Sequence, residues 1–205
     1  GVFTSAGEVI EKASSGRDLM GMLEKPSPRL MCSLVHKFGK KDIEDFDEYL
    51  FEFAYSFKET DQIEKAKEYY ELSIQRKGEN SSVLNNLSII YEHLGDLKKA
   101  RFHYQNSLQV FNSTNKLLYS AKVLHNLGNV LQQEKQYNKA KENYLNALSI
   151  YENQSYQYGI AESANSIGSL FVNLEDWRNA QKYLNISVKA NKQVKNIAGE
   201  SEALN

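Results

Sequence analysis

Apolar residues recur at intervals of three, four and seven along most of this chain, the spacing of one buried helix face. Short polar stretches such as His93-Leu-Gly-Asp96 and Glu134-Lys-Gln136 separate these segments and are only long enough to reverse the chain direction. Both prolines, Pro26 and Pro28, lie before this pattern, and no long alternating β-branched run competes with it. The pattern therefore predicts an all-α protein built of antiparallel helix pairs.

The helix pairs repeat along the sequence. Alignment on Ala140 finds equivalent alanines at Ala66, Ala100 and Ala180, so that the intervals are 34, 40 and 40 residues. We call these four the reference alanines. Four further positions repeat with them: a small residue twelve before, a large apolar residue nine before, an apolar residue three before, and a tyrosine or leucine four after. In the same order these are Ala54, Ser88, Gly128 and Gly168; Phe57, Tyr91, Leu131 and Phe171; Ile63, Leu97, Tyr137 and Trp177; and Tyr70, Tyr104, Tyr144 and Leu184.

The small residue of the first helix and the reference alanine of the second allow the two backbones of a pair to approach closely. One pair cannot bury its apolar face alone, so neighbouring pairs must stack into a solenoid. We predict repeat units at about 47–80, 81–120, 121–160 and 161–200, with a further repeat starting at 201. The predicted helices span 44–58, 62–76, 81–94, 97–112, 117–134, 137–154, 158–174 and 177–194, and another begins near 198.

The third unit carries a signature that resembles the tetratricopeptide repeat (TPR) family: Asn126, Leu127, Gly128, Tyr137, Ala140, Tyr144, Ala147 and Leu148. The resemblance covers about 47–205 and implies a right-handed solenoid that binds proteins or peptides. The 40-residue spacing resembles the long-helix variety of the family. Two features depart from the usual pattern: no proline ends the repeats, and the first unit has Phe53-Ala54 where Leu-Gly is expected.

The ends of the chain fall outside this register. Ser27-Pro28 predicts a helix start and Gly39 its end, and a weaker helix is predicted from Ala6 to Leu23. Residues 1–44 are either a helical cap on the first repeat or the end of a preceding domain. Because the last residues continue a helical pattern, we expect the array to continue in a longer protein.

Composition narrows the classes of function. The net charge is −1 with both signs interspersed, so neither nucleic acid nor a membrane is an expected partner. The lone Cys32 fits a reducing compartment and predicts a cytoplasmic protein. The four histidines, His36, His93, His103 and His125, show no metal-ligand spacing, and no catalytic motif is present. We therefore expect no enzyme activity, no metal and no cofactor.

The first helix of each unit is expected to line the concave side of the solenoid. Its exposed stripe changes from aromatic, at Phe51 and Tyr55, to rich in amides and hydroxyls in later units. Carboxamides offer a donor and an acceptor that match an extended peptide backbone. The predicted peptide-binding residues are Asn86, Lys122, His125, Asn126, Asn129, Gln132, Asn165 and Ser169. The resemblance supports Asn126 and Asn129, which match positions that contact peptide in binding members of the family.

Several alternatives stay open. Asparagines at these positions also serve generic repeats through solubility and hydrogen bonds between helices. The chain is predicted to be a protein- or peptide-binding scaffold; alternatively, it is a sensor or oligomerisation module of a larger signalling or effector protein. A third possibility is self-association through an uncapped C-terminal repeat.

Overall fold

The computed structural model of the protein describes residues 3–5, 8–10 and 50–203. By their contacts the residues form two compact units, 1–90 and 91–205. The boundary falls inside one helix, so that its last turn belongs to the second unit.

The first unit holds a short β-ribbon and a helix pair. Strand β1 (Phe3–Ser5) pairs antiparallel with β2 (Glu8–Ile10), with Thr4 opposite Val9. The β-branched residues in these strands favour extended backbone. The helix predicted from Ala6 to Leu23 is therefore wrong at Glu8–Ile10, which form β2. The rest of that helix lies outside the described residues. The helix predicted from Ser27 to Gly39 also lies outside them.

Helix α1 (Leu50–Glu59) packs against α2 (Ile63–Lys77), and α3 (Ser81–His93) follows. Aromatic residues fill the α1–α2 interface, where the rings of Phe53 and Phe57 lie 6.2 and 5.1 Å from that of Tyr69. These three side chains are buried, as the helical spacing of the apolar residues requires.

The second unit continues with α4 (Leu97–Ser113), α5 (Leu117–Gln133), α6 (Tyr137–Asn153), α7 (Gln157–Asn173) and α8 (Trp177–Ala203). From α4 onward each helix packs against the next, and α5 also contacts α7. The all-α class and the antiparallel helix pairs are confirmed. From α2 to α7 both ends of every helix lie within one residue of the prediction.

The helix break predicted near residue 198 is wrong, because α8 runs without interruption to Ala203. No proline interrupts residues 195–203. The lone Gly199 costs only about 1 kcal/mol in a helix interior, which does not end a helix by itself.

The turns repeat as regularly as the helices. A residue with left-handed backbone follows each of six helices: Asp61, Gly95, Asn115, Lys135, Ser155 and Glu175, with φ of 53° to 78°. At Lys135 the flanking amides bond back to the helix, Lys135 N to Gln132 O at 2.9 Å and Gln136 N to Leu131 O at 2.8 Å. This is the Schellman type of helix end, which reverses the chain in three residues.

The small position of each first helix is a contact point for the second helix, as predicted. A Cβ atom added at Gly128 would lie 2.5 Å from Cε1 of Tyr144, and one added at Gly168 would lie 2.7 Å from Cγ of Leu184. The reference alanines Ala140 and Ala180 are buried in the same interfaces. Gly128 is therefore a close-contact point in the packing of α5 on α6 and is not part of a ligand-binding loop.

Candidate functional site

A polar cleft of about 370 Å³ opens in the second unit, between α5 and α7 and over α6. We call it the α5–α7 cleft. Its lining consists only of uncharged amide, hydroxyl and phenol side chains: Asn129, Gln132 and Gln133 from α5, Tyr137 and Tyr144 from α6, and Asn165, Ser166, Ser169 and Asn173 from α7.

The repeat register explains this arrangement. Asn129 and Ser169 both lie eleven residues before a reference alanine, on the same face of equivalent first helices. Because first helices α5 and α7 contact each other, their polar faces border one opening. The absence of a side chain at Gly128 lets the Tyr144 ring lie close to the α5 backbone, beneath that opening.

Tyr144 forms the floor of the cleft. Its side chain is buried, and its hydroxyl lies 2.7 Å from Asn129 Oδ1 and 3.0 Å from Gln132 Oε1. Burial raises the pKa of Tyr144 strongly, so the hydroxyl stays protonated and donates. One hydroxyl proton serves only one of these two carbonyl oxygens at a time, so the other remains an acceptor at the cleft wall.

Four predicted site residues are brought together here: Asn129, Gln132, Asn165 and Ser169. Asn165 and Ser169 are exposed, whereas Asn129 and Gln132 are half-buried through their contacts with Tyr144. Among the predicted residues, these four line one opening.

Asn126 faces a different partner. It is half-buried and does not line the cleft, and its carboxamide is near the buried Tyr104 side chain. The carboxamide lowers the pKa of Tyr104, against the larger raising effect of burial. Because α4 and α5 belong to successive repeats, Asn126 acts on the tyrosine of the preceding repeat.

His125 lies between helices rather than on the exposed stripe that the sequence predicted. It is only 4% exposed, its Nδ1 is 3.3 Å from Ser163 Oγ, and its Nε2 is 3.8 Å from Glu162 Oε1. Burial lowers the pKa of His125, and Glu162 opposes that shift. The predicted exposure of His125 is wrong because α7 packs onto this position of α5. Lys122, one turn earlier, is exposed but is not among the residues that line the cleft.

Asn86 lies in the first unit, on α3. Its carboxamide lowers the pKa of Tyr70, which burial raises, so it plays the part towards Tyr70 that Asn126 plays towards Tyr104. The Tyr70 hydroxyl is buried and has no hydrogen-bond partner among the described residues.

Glu92 is a further candidate: it occupies a stripe position, eight residues before Ala100, but is not among the predicted peptide-binding residues. Its Oε2 accepts from the Tyr104 hydroxyl at 3.2 Å, and its Oε1 accepts from Gln133 Nε2 at 2.8 Å. Burial raises the pKa of Glu92, and its charge also raises that of Tyr144. The field of this carboxylate therefore reaches the cleft floor.

The predicted peptide-binding residues lack five members of the cleft lining: Gln133, Tyr137, Tyr144, Ser166 and Asn173. Tyr144 was assigned to the core, where its ring does lie, because the apolar pattern says nothing about its hydroxyl. Gln133 and Asn173 each follow the predicted stripe by one residue at equivalent helix ends, so a wider stripe would have included them.

Within the described residues, no group of three or more metal-ligating side chains is close enough to hold an ion. In the same part of the chain, no helix has the length and apolar character needed to cross a membrane.

The helix pairs, the turns and the close-packed small positions define a helical-repeat scaffold. Tetratricopeptide repeat models match residues 47–80, 81–113 and 119–193, and the chain belongs to this family. A search of curated proteins by sequence found no match.

Solved structures share the fold at low sequence identity. BtubC from P. vanneervenii is 17% identical with a TM-score of 0.69, covering 82% of this chain and 80% of its own. MamA is 14% identical with a TM-score of 0.65, covering 91% of this chain and 99% of its own. Aspartyl phosphate phosphatase F from Bacillus subtilis is 14% identical with a TM-score of 0.73, and the match covers 89% of this chain but only 51% of that protein.

Proposed function

We propose that this chain is a protein-interaction scaffold that holds an extended peptide segment of its partner in the α5–α7 cleft. The observation that carries the proposal is the convergence of amide and hydroxyl groups from two repeats on one open, uncharged cleft. The proposal assigns no catalytic step to the described residues.

The chemistry of the cleft suits a peptide backbone. An extended peptide alternates N–H donors and C=O acceptors, and each carboxamide offers both. Asn165 supplies an exposed carboxamide on one wall. On the other wall, the Tyr144 proton leaves either Asn129 or Gln132 with a free carbonyl oxygen. Such contacts recognise main chain and depend little on ligand sequence.

The test offers immobilised protein a library of random eight-residue peptides and sequences what is retained. Asn165→Ala removes one exposed carboxamide and should weaken selected peptides about 3- to 10-fold, since a hydrogen bond contributes roughly 0.5–1.5 kcal/mol. Ser169→Trp should block the cleft and abolish retention, while its exposed position keeps the fold intact.

Asn126→Ala is the matched control, because it removes the same group from a residue that faces Tyr104. It should lower thermal stability and leave peptide retention unchanged. If Asn126→Ala weakens the peptides and both Asn165→Ala and Ser169→Trp do not, the cleft is the wrong site.

Self-association is a second candidate function, favoured by one exposed apolar position on α8. Val188 is 54% exposed, whereas Leu148, its equivalent one repeat earlier, is 5% exposed. If another copy covers this face, sedimentation should reveal a concentration-dependent dimer, and Val188→Lys should remove it. A monomer at all concentrations would exclude this role.

The alternative of a sensor module within a larger protein is compatible with both candidates. It is supported by the similarity to half of aspartyl phosphate phosphatase F, a likeness that concerns the fold alone. The sequence that flanks residues 1–205 would test it directly.

A further inference from the structure

The cleft lies where the internal repetition of the array breaks. A buried tyrosine stands four residues after the reference alanine in the first three units, as Tyr70, Tyr104 and Tyr144. In the first two, the residue fourteen positions before the next reference alanine is an asparagine whose carboxamide is near enough to lower the pKa of the tyrosine, Asn86 for Tyr70 and Asn126 for Tyr104. At the third junction this position is Ser166.

The shorter side chain changes the hydrogen bonding of the tyrosine. The Tyr104 hydroxyl donates to Glu92 at 3.2 Å, and the nearby Asn126 carboxamide lowers the pKa of Tyr104. The Tyr144 hydroxyl instead donates within its own unit, to Asn129 or Gln132. A phenol oxygen also has acceptor capacity, and at Tyr144 no carboxamide from α7 fills it.

The space left by the shorter side chain is the cleft itself, since both Tyr144 and Ser166 line it. We propose that the cleft binds the side-chain carboxamide of an asparagine or glutamine in the partner peptide. This carboxamide takes the place that Asn86 and Asn126 occupy at the earlier junctions and donates to the Tyr144 oxygen. The inference rests on the proposed peptide-binding function and adds the side-chain class that is selected.

The neutral lining supports a carboxamide over a charged group. A ligand carboxylate would have no cationic partner among the lining residues, and it would be repelled by the nearby Glu92. An alanine or valine would leave the Tyr144 oxygen and one carbonyl oxygen of the wall without a partner, which costs affinity when they are desolvated.

Two variants of one residue test the inference. Ser166→Asn restores the carboxamide and should occupy the Tyr144 oxygen from within the chain. Ser166→Ala removes the hydroxyl and leaves the space open. In the random-peptide selection, the natural chain and Ser166→Ala should enrich asparagine or glutamine at one peptide position, whereas Ser166→Asn should lose that preference. A selected peptide should lose about 10-fold in affinity when its carboxamide residue is changed to alanine or aspartate.

A stability measurement tests the geometry without a ligand. Ser166→Asn should raise the melting temperature by about 2–4 °C, as expected for one added hydrogen bond in a chain of this size. The gain should vanish in a Tyr144→Phe background. A gain that is independent of Tyr144, or no gain, would overturn the inferred carboxamide position.

The outcomes separate this inference from the proposed function. If peptides are enriched without asparagine or glutamine and Ser169→Trp abolishes their binding, the cleft binds peptides but the carboxamide inference is wrong. If the natural chain enriches no peptides beyond those that the Ser169→Trp variant enriches, both proposals are refuted.

Discussion

Replacing Gly128 by alanine tests the central packing feature of the third repeat. The added methyl group would lie 2.5 Å from Cε1, 2.6 Å from Cδ1 and 3.0 Å from Cζ of the Tyr144 ring. Ordinary contact begins at 3.4 Å, so the ring must retreat by about 0.9 Å from a close-packed site. Because the side chain is 1% exposed, little free space surrounds it.

Two effects oppose each other in this variant. Overpacking in a core costs about 1–3 kcal/mol, and alanine gains about 1 kcal/mol over glycine in helix propensity. The retreat also disturbs the Tyr144 hydrogen bonds to Asn129 and Gln132, a further loss of about 1 kcal/mol. The expected loss of stability cannot be large, because Ala54 and Ser88 occupy the equivalent position in units that also carry the tyrosine. We therefore expect a net loss of about 1–2 kcal/mol in the free energy of unfolding.

Far-UV circular dichroism during urea denaturation measures this loss. Ser149→Ala, at an exposed position of α6, is the control and should change stability by less than about 0.5 kcal/mol. Hydrogen exchange should place the extra opening in α5 and α6, because repeats open locally. If Gly128→Ala is as stable as the natural chain, helix propensity outweighs the clash and the close-contact argument is refuted.

Two further predictions concern the turns and the buried histidine. Gly95→Ala, at φ 78°, should lower the free energy of unfolding by about 1 kcal/mol. Lys135→Gly, at φ 60°, should raise it by about 0.5 kcal/mol. If both variants shift the free energy of unfolding in the same direction, the left-handed turn model is contradicted. Because burial lowers the pKa of His125 below its unfolded value of 6.5, the unfolded chain takes up this proton first, and the histidine's contribution to stability falls as pH drops below 6.5. The melting temperature should therefore fall less between pH 7.5 and 5.5 in His125→Gln than in the natural chain, and equal falls in the two proteins would show that His125 is not the group responsible.

Most of the fold was predictable because the residues that mark each helix boundary recur in several repeats of the sequence. The reference alanines, the small positions and the turns recur in four units, so an ambiguous position in one is corrected by the others. The failures lie where this redundancy is missing. The strand Glu8–Ile10 has no equivalent in the repeats, and the continuation of α8 past residue 194 has no following unit for comparison.

The candidate site was only partly predictable for a different reason. In sequence, Asn126 and Asn129 are two similar amides one turn apart on the same helix. Their roles differ because Asn126 is near Tyr104 of the preceding repeat, whereas Asn129 accepts a hydrogen bond from Tyr144 of its own repeat. A helical stripe describes which face a residue occupies. It does not describe which neighbouring repeat supplies the partner, so the division of roles required the structure.

The position of the cleft follows from a departure from the repeat. At the second junction the buried Tyr104 hydroxyl donates to Glu92 within the chain, and the Asn126 carboxamide is near it. At the third junction Ser166 replaces the asparagine, while Gly128 still holds Tyr144 close to α5. A buried polar floor and two helical walls are therefore present because the fold requires them. At this junction the side chain of Ser166 is too short to cover the floor, which faces an opening. For this reason we expect recognition to depend on Ser166 and Tyr144 more than on the asparagines that the sequence makes conspicuous.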